Sequence, residues 1–338
     1  MNRQILLASR PSGAPQLDNF ALIETEIGAP QEGQFLVQTE YLSLDPYMRA
    51  RMYEGENYAR NVPLGAVMIG TTVARVIESQ HSDYTKGDYV MSPHGWQEFA
   101  LSNGEGLAKI DPAIAPVSTA LHVMGLTGLT AYGGLLRHGR PVAGETLLVS
   151  AASGSVGSVV AQIGKRMGLR VVGIAGGAEK CRYLVETLKL DAAIDHRSAD
   201  VAAQIAAACP EGIDIYFDNI AGPVAKLVLP HMRPHGRYLV CGTIAANRNI
   251  ARQDGPDHLQ EMLASVLVKR LSVTGFIFDD FKDMMPEFAR DMSGWLNDGV
   301  IRYREDIVDG LEHAPQAFLG LFSGQNHGKL LVRTTKVA

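Results

Sequence analysis

Residues 147–157 read Leu147-Leu148-Val149-Ser150-Ala151-Ala152-Ser153-Gly154-Ser155-Val156-Gly157. A short apolar run, typical of a buried strand, leads into a turn of small residues, and a helical pattern follows from about Val156. Aligned with G-x-G-x-x-G, the turn has Ala152, Gly154 and Gly157 at its key positions. Gly154 lets a pyrophosphate approach the backbone, and Gly157 lets the helix, whose N-terminus attracts phosphate, pack close to the strand. The stretch predicts a dinucleotide-binding turn, with a ligand-free βα turn as the alternative.

The sequence on both sides of this turn alternates between strand-like and helix-like segments from about Leu121 onward. Helical patterns follow the first strands, for example Val159, Val160 and Ile163 at helical spacing. The predicted strands are Leu147–Ser150, Arg170–Ile174, Ala192–Ile194, Ile213–Phe217, Tyr238–Cys241 and Leu271–Phe276. Such alternation predicts an α/β fold with a parallel, doubly wound sheet.

The first third of the chain is rich in short strand patterns bounded by Gly, Pro and Asp, which predicts a small antiparallel barrel. These strands are Phe35–Thr39, Thr72–Ile77 and Asp88–Met91. Near the C-terminus, two amphipathic helices precede a closing strand, Lys329–Val332. Their apolar stripes are Phe288, Met292, Trp295 and Leu296, then Ala317, Phe318, Leu321 and Phe322. We expect the last segment to rejoin the first domain, which gives domains of 1–122 with 303–338, and 123–302.

Composition limits the classes of function. The chain has 338 residues, 46% of them hydrophobic, and a net charge of −5, which suits two globular domains and argues against a nucleic-acid partner. The uncharged segments Pro112–Leu136 and Thr146–Gly164 are interrupted by Gly, Ser, Thr or Pro, so we expect no membrane span. The N-terminus leads straight into a strand-like run without signal-peptide features, which predicts a cytoplasmic protein.

The cysteines Cys181, Cys209 and Cys241 are few and far apart, which argues against a disulfide framework. None belongs to a Cys-x-x-Cys or Cys/His cluster, so the sequence predicts no zinc site. We expect all three to be small buried apolar residues.

The cofactor type is indicated by the end of the second strand. An NAD enzyme usually has an acid there, about 20 residues after the glycine turn. Here the strand ends Ala175-Gly176-Gly177, and the cations Lys180, His196 and Arg197 follow. Cations suit a 2′-phosphate, so NADPH is favoured over NADH, with Glu179 as the counter-evidence because it could reach the ribose.

On these motifs the chain resembles the medium-chain dehydrogenase/reductase superfamily, in its zinc-independent branch of leukotriene hydroxydehydrogenase, prostaglandin reductase and NADPH-dependent alkenal/enone reductase. The branch pattern is clearest in Asp45-Pro46-Tyr47-Met48-Arg49, where zinc alcohol dehydrogenases carry a metal-binding Cys that is absent here. The other matching stretches are Ser43-Leu44, Gly125-Leu126-Thr127-Gly128-Leu129-Thr130-Ala131-Tyr132, Ala152–Gly157, Tyr216-Phe217-Asp218-Asn219, Cys241-Gly242-Thr243-Ile244 and Asn326-His327-Gly328-Lys329. The resemblance implies a GroES-like barrel domain, a Rossmann domain and a homodimer.

The resemblance also implies the cofactor-binding residues. Gly154, Ser155, Val156 and Gly157 would hold the pyrophosphate. Lys180 would bind the 2′-phosphate, and His196 stands where the family usually has Tyr. From their charge, we expect Arg197 or His196 to aid Lys180. The nicotinamide end would be lined by Met124, Thr127, Asn219, Cys241, Gly242, Thr243, Ile244, Phe276, Ile277 and Phe278, with Asn326 from the C-terminal segment.

The implied activity is reduction of the C=C bond of an α,β-unsaturated ketone or aldehyde, with hydride transfer from NADPH to the β-carbon. The Tyr47 hydroxyl and the nicotinamide ribose hydroxyl are the candidates that stabilise the enolate oxygen, with packing beside Pro46 as the alternative role of Tyr47. The family commonly has a second Tyr shortly after residue 244, and Asn247 stands about there.

Two other functions stay open on the sequence. One is an NADP-dependent secondary-alcohol dehydrogenase, which the lack of a Lewis-acidic zinc disfavours. The other is a non-catalytic NADPH-binding protein, which could bind nucleic acid but has no basic cluster for it.

Overall fold

A computed structural model describes residues 1–55, 57, 59–245 and 259–335. The chain divides into two compact units. The first unit comprises Met1–Leu121 and the described chain from Glu305 onward, and the second comprises the described residues from His122 to Arg304.

Both units consist of strands and helices, which are numbered in chain order. The strands are β1 (Asn2–Leu7), β2 (Phe20–Thr25), β3 (Phe35–Ser43), β4 (Thr72–Ser79), β5 (Tyr89–Ser92), β6 (Phe99–Ser102), β7 (Ala108–Ile110), β8 (Thr146–Val149), β9 (Arg170–Ala175), β10 (Ala192–Asp195), β11 (Ile213–Asp218), β12 (Met232–Val240), β13 (Ser272–Gly275), β14 (Glu305–Asp309) and β15 (Lys329–Arg333). The α-helices are α1 (Tyr47–Ala50), α2 (Leu126–Gly133), α3 (Ser155–Arg166), α4 (Ala178–Arg182), α5 (Val201–Ala208), α6 (Pro223–Val228), α7 (Leu259–Lys269), α8 (Met285–Asn297) and α9 (Ala314–Phe322).

The second unit is built on a six-stranded sheet in the order β10-β9-β8-β11-β12-β13, and every pairing is parallel. Leu147 and Val149 of β8 pack into one buried cluster, and Leu148 between them packs into another. Successive strand residues point to opposite faces, so both faces of this sheet are covered by apolar side chains. The strand order reverses between β8 and β11, and ligands of such sheets bind beyond the strand ends at that point.

The first unit is built on a seven-stranded sheet, in which β15 pairs antiparallel with β3. The sequence predicted antiparallel strands in the first third of the chain, and the strand pairs there are antiparallel. Near the C-terminus, β14 and β15 are parallel. The reason is the helix α9 between them, which returns the chain to the same end of the sheet as a crossover connection requires.

The strands predicted from sequence are present with bounds that shift by a few residues. The largest difference is β12, which begins at Met232 and not near Tyr238. Its first half contains Pro234 and Gly236, which disfavour strands in a sequence pattern. The cysteines also differ in part, because Cys209 is buried as expected whereas Cys181 and Cys241 are only half-buried.

Candidate functional site

The βα turn after β8 has the close packing that a pyrophosphate site needs. A Cβ atom on Gly157 would lie 2.4 Å from the Ala151 carbonyl oxygen and 2.9 Å from the Ala152 Cα, so only glycine fits there. Gly154 is the N-cap of α3, so no N-cap side chain occupies the first N–H groups of this helix. The first-turn N–H groups and the positive end of the helix dipole therefore suit a phosphate.

A second helix begins beside this turn. The Thr127 Oγ1 in the first turn of α2 lies 2.6 Å from the Ser155 Oγ in the first turn of α3. The structure thus brings together two sequence-predicted cofactor residues from segments 28 residues apart. Met124, just before α2, is partly buried against the core of the second unit.

The tip of β9 is lined by cations. A Cβ on Gly176 would lie 2.7 Å from the His196 Nε2 and 3.0 Å from the Arg197 Nε, so both side chains lie against this glycine. The Asp195 Oδ1 accepts the backbone N–H groups of Gly177 at 2.8 Å and Arg197 at 3.0 Å, and these hydrogen bonds lower the pKa of Asp195.

Two more charged residues lie in α4, the helix that follows this tip. Glu179 and Lys180 lie in this short helix, and Glu179 is exposed whereas Lys180 is half-buried. The glycines at this tip fit a 2′-phosphate, because the Arg197 guanidinium and the N–H group of the His196 ring can both donate hydrogen bonds to it.

The carboxyl ends of β11 and β12 bring Asn219 and the segment 241–244 together. A Cβ on Gly242 would lie 2.8 Å from the Asn219 carbonyl oxygen, so the two backbones touch. Burial, and then the nearby Asp218 charge, raise the pKa of the Cys241 thiol to about 12. The thiol is therefore neutral near pH 7 and can line a pocket without adding charge.

Residues 276–278 lie just after β13. The Phe276 side chain is buried, with its ring 5.5 Å from that of His138 and 5.4 Å from that of Phe281. Ile277 is exposed and Phe278 is partly buried. The Phe276 side chain therefore packs into the core of the second unit, whereas Ile277 and Phe278 are more accessible.

The first unit contains Tyr47 and Asn326. Tyr47 is the first residue of α1 and packs, half-buried, against the core of this unit. The buried carboxylate of Asp45, two residues earlier, forms an ion pair with Lys329. The Asn326 Nδ2 donates to the Gly328 carbonyl oxygen at 2.8 Å, which fixes its amide within the turn before β15. Asn247 lies outside the described residues.

One buried polar group at the carboxyl edge of the sheet was not predicted from the sequence. Asp218 is fully buried at the end of β11 and accepts hydrogen bonds from Ser150 and Tyr238. A polar signal existed, since Asp218 ends the strand directly after the buried residues 215–217, but its partners lie far away in sequence.

Metal-ligand clusters and membrane spans are both absent from the described part of the chain. Across residues 1–55, 57, 59–245 and 259–335, no three His, Cys, Asp or Glu side chains form a group suited to a metal ion. Within those ranges, no helix is long and apolar enough to cross a bilayer.

The chain matches two family models. One, described as the N-terminal domain of oxidoreductase, matches residues 3–110, and the other, described as zinc-binding dehydrogenase, matches residues 155–293. The chain is 49% identical to the NADPH-dependent curcumin reductase of Escherichia coli (strain K12), over 98% of this chain and 96% of that protein. It is 37% identical to prostaglandin reductase 1 of Bos taurus, over 95% of both chains.

A solved structure is also similar along the whole chain. The crystal structure of CurA from Vibrio vulnificus in complex with NADPH superposes with a TM-score of 0.95 at 47% identity, covering 99% of this chain and all of that one.

Proposed function

The chain belongs to the zinc-independent branch of the medium-chain dehydrogenase/reductase superfamily, and we propose that it uses NADPH to reduce the C=C bond of α,β-unsaturated ketones and aldehydes. The relatives named as NADPH-dependent curcumin reductase and prostaglandin reductase support this class of reaction. Among the structural observations, the one that carries the proposal is the position of the His196 and Arg197 side chains against Gly176 at the tip of β9.

In this proposal the residues of 123–302 bind the cofactor along the carboxyl edge of the sheet. The turn 154–157 binds the pyrophosphate, and Lys180, His196 and Arg197 bind the 2′-phosphate. Met124, Thr127, Asn219, the segment 241–244 and the segment 276–278 line the nicotinamide end. The domain formed by 1–122 and 303–338 contributes Tyr47 and Asn326.

When bound, NADPH supplies the hydride that is added to the substrate β-carbon. As this bond forms, negative charge moves to the carbonyl oxygen of the substrate. The Tyr47 hydroxyl donates a hydrogen bond to that oxygen, and one such donor typically lowers a barrier by about 3 kcal/mol. Water donates the proton that completes the α-carbon, so the protein needs no acidic residue for that step.

The test is a panel of curcumin, a simple alkyl enone, an enal and a quinone with NADPH. We expect loss of NADPH with the conjugated ketones and aldehydes, and recovery of the saturated carbonyl product by mass spectrometry. With NADPH deuterated at the nicotinamide C4, the label should appear on the β-carbon. Faster oxidation of a saturated secondary alcohol with NADP⁺, or no turnover of any conjugated carbonyl, would contradict the proposal.

The proposal extends to assembly and location. We propose a homodimer that forms through β13, which is the edge strand of the sheet among the described residues. Exposed apolar side chains on the neighbouring helix α7, Leu267 and Val268, support a covered surface there. We also propose a cytoplasmic location, because the three free cysteines suit a reducing compartment.

A further inference from the structure

A hydrogen-bond network joins the carboxyl ends of β8, β11 and β12 around the buried Asp218 carboxylate. The Asp218 Oδ1 lies 2.8 Å from the Ser150 Oγ, 2.9 Å from the Ile220 N and 3.0 Å from the Ala221 N. The Asp218 Oδ2 lies 2.8 Å from the Tyr238 hydroxyl. Burying a carboxylate costs free energy unless donors such as these compensate its charge. Any other conformation of this loop would lose these donors and is therefore disfavoured.

The directions of these hydrogen bonds follow from the groups that can only donate and those that can only accept. The Asn219 backbone N–H donates to the Ser150 Oγ at 2.8 Å. The Asp218 carboxylate can only accept, so the Ser150 hydroxyl accepts from Asn219 and donates its own hydrogen bond to Asp218. Burial and the Asp218 charge raise the pKa of Tyr238, so its hydroxyl keeps its proton and donates it. Asp218 is therefore an acceptor at both oxygens.

The same logic fixes the side-chain amide of Asn219. Its terminal amide lies 2.8 Å from the Ser150 carbonyl oxygen, which can only accept a hydrogen bond. The amide nitrogen must therefore face Ser150, and the Oδ1 must face away from it. Asn219 remains half-exposed at the end of β11, beside the strand-order reversal where ligands of such sheets bind.

We infer that Ser150, Asp218 and Tyr238 are positioning residues that hold Asn219 with its Oδ1 towards the nicotinamide end of the cofactor, as an acceptor for an N–H or O–H group there. This inference rests on the proposed function. The Gly242 backbone, which touches the Asn219 peptide, is held by the same residue, because its N–H donates to the Asp218 carbonyl oxygen at 3.1 Å. Residue 218 thus contacts both segments that line this end of the site, the loop after β11 through its carboxylate and Gly242 through its backbone carbonyl.

The network is tested by two variants and two ligands that differ in the nicotinamide half. Ser150→Ala removes the hydroxyl shared by Asn219 and Asp218, and Tyr238→Phe removes one donor to Asp218 while keeping the ring. Calorimetry then measures the dissociation constants of NADP⁺ and of 2′,5′-ADP, which lacks the nicotinamide half. We expect Ser150→Ala to weaken NADP⁺ binding by up to about ten-fold, with Tyr238→Phe in the same direction, because a misplaced Asn219 amide loses its hydrogen bond to the cofactor. Binding of 2′,5′-ADP should stay within about two-fold because its contacts lie elsewhere.

The matched control is Tyr132→Phe, which removes a Tyr–Asp hydrogen bond of 2.7 Å to Asp291 in the same unit. It should leave both constants unchanged. Unchanged NADP⁺ binding in both test variants, or equal losses for both ligands, would overturn the inference. If Ser150→Ala does not fold, Tyr238→Phe decides, with 2′,5′-ADP binding as the check on folding. A wild-type protein that binds neither ligand would instead contradict the proposed function.

Discussion

At the residue scale, the cofactor preference is tested most directly at Lys180. If its ammonium group contacts the 2′-phosphate, a charge-assisted hydrogen bond of about 1.5–3 kcal/mol is lost in Lys180→Ala. The dissociation constant of NADPH should then rise about ten-fold or more. The constant of NADH should hardly change, because NADH lacks this phosphate. Fluorescence titration of both cofactors measures the effect.

The control for this change is Lys165→Ala. Lys165 lies in the same unit and pairs with Asp191 at 2.9 Å on the surface, so its loss should affect neither cofactor. Equal losses for NADPH and NADH in Lys180→Ala would remove Lys180 from the phosphate site.

A second test at the residue scale asks whether the Tyr47 hydroxyl takes part in catalysis. If its hydroxyl donates to the forming enolate, Tyr47→Phe should slow hydride transfer by roughly 10–1000-fold and leave NADPH affinity almost unchanged. A packing role predicts an almost silent change, because Phe is nearly isosteric. Single-turnover oxidation of NADPH by an enone separates the two roles. Tyr89→Phe, which removes a hydroxyl 3.3 Å from Glu40 in the same unit, is the control and should keep the wild-type rate.

At the scale of elements, the start of α1 is joined to β15 by a buried ion pair. The Lys329 Nζ lies 2.5 Å from the Asp45 Oδ1 and 3.3 Å from the Leu44 carbonyl oxygen. Lys329→Met leaves the Asp45 charge buried without its cation, so the free energy of unfolding should fall by about 3–5 kcal/mol. Urea unfolding measures this loss.

The control for this prediction is the exposed ion pair of Lys109 with Asp88. Lys109→Met should cost less than about 1 kcal/mol, because water screens that pair. The double variant of Asp45→Asn with Lys329→Met should be more stable than the sum of its single losses predicts. If Lys329→Met were no more costly than Lys109→Met, the buried pair would not hold these elements together.

The elements also show what a sequence can and cannot predict. The strands β8 to β11 and the helix α3 were predictable because burial imposes a local period on their apolar residues. Helix α2 was not, because Gly128 and Thr130 disfavour helices and only its burial in the core stabilises it. The parallel pairing of β14 with β15 likewise depends on a long crossover and not on local pattern.

The candidate site also contains residues that the sequence could predict and residues that it could not. The glycine turn and the cations after β9 have local signatures, so their residues could be named from the sequence. The Ser150–Asp218 hydrogen bond joins residues 68 apart, and no local pattern predicts it. From the sequence, the aromatic Phe276 could line a pocket or pack in a core. Its burial in the structure shows that its side chain packs in the core.

At the scale of the whole molecule, the edge of the six-stranded sheet is the surface on which the proposed dimer depends. Strand β13 pairs with β12 on one side only among the described residues, and Val273 in it is 39% exposed. Leu267 and Val268 on α7 are 77% and 70% exposed, which is unusual for apolar side chains without a partner surface. A second copy that pairs with β13 about a two-fold axis would cover these groups in both chains.

The prediction is that light scattering gives twice the chain mass, and that Leu267→Glu shifts the protein towards the mass of one chain. Burial of one leucine side chain contributes about 1.5–3 kcal/mol, and symmetry places the substitution twice in the interface. The dimer dissociation constant should therefore rise by at least about 100-fold, while the stability of the single chain changes little because Leu267 is exposed within it. Leu64→Glu, at a leucine that is 54% exposed in the first unit, is the matched control and should keep the dimer mass. A wild-type protein with the mass of one chain, or a Leu267→Glu variant that dissociates no more than the control, would remove β13 and α7 as the interface, because neither result is compatible with leucines buried between two copies.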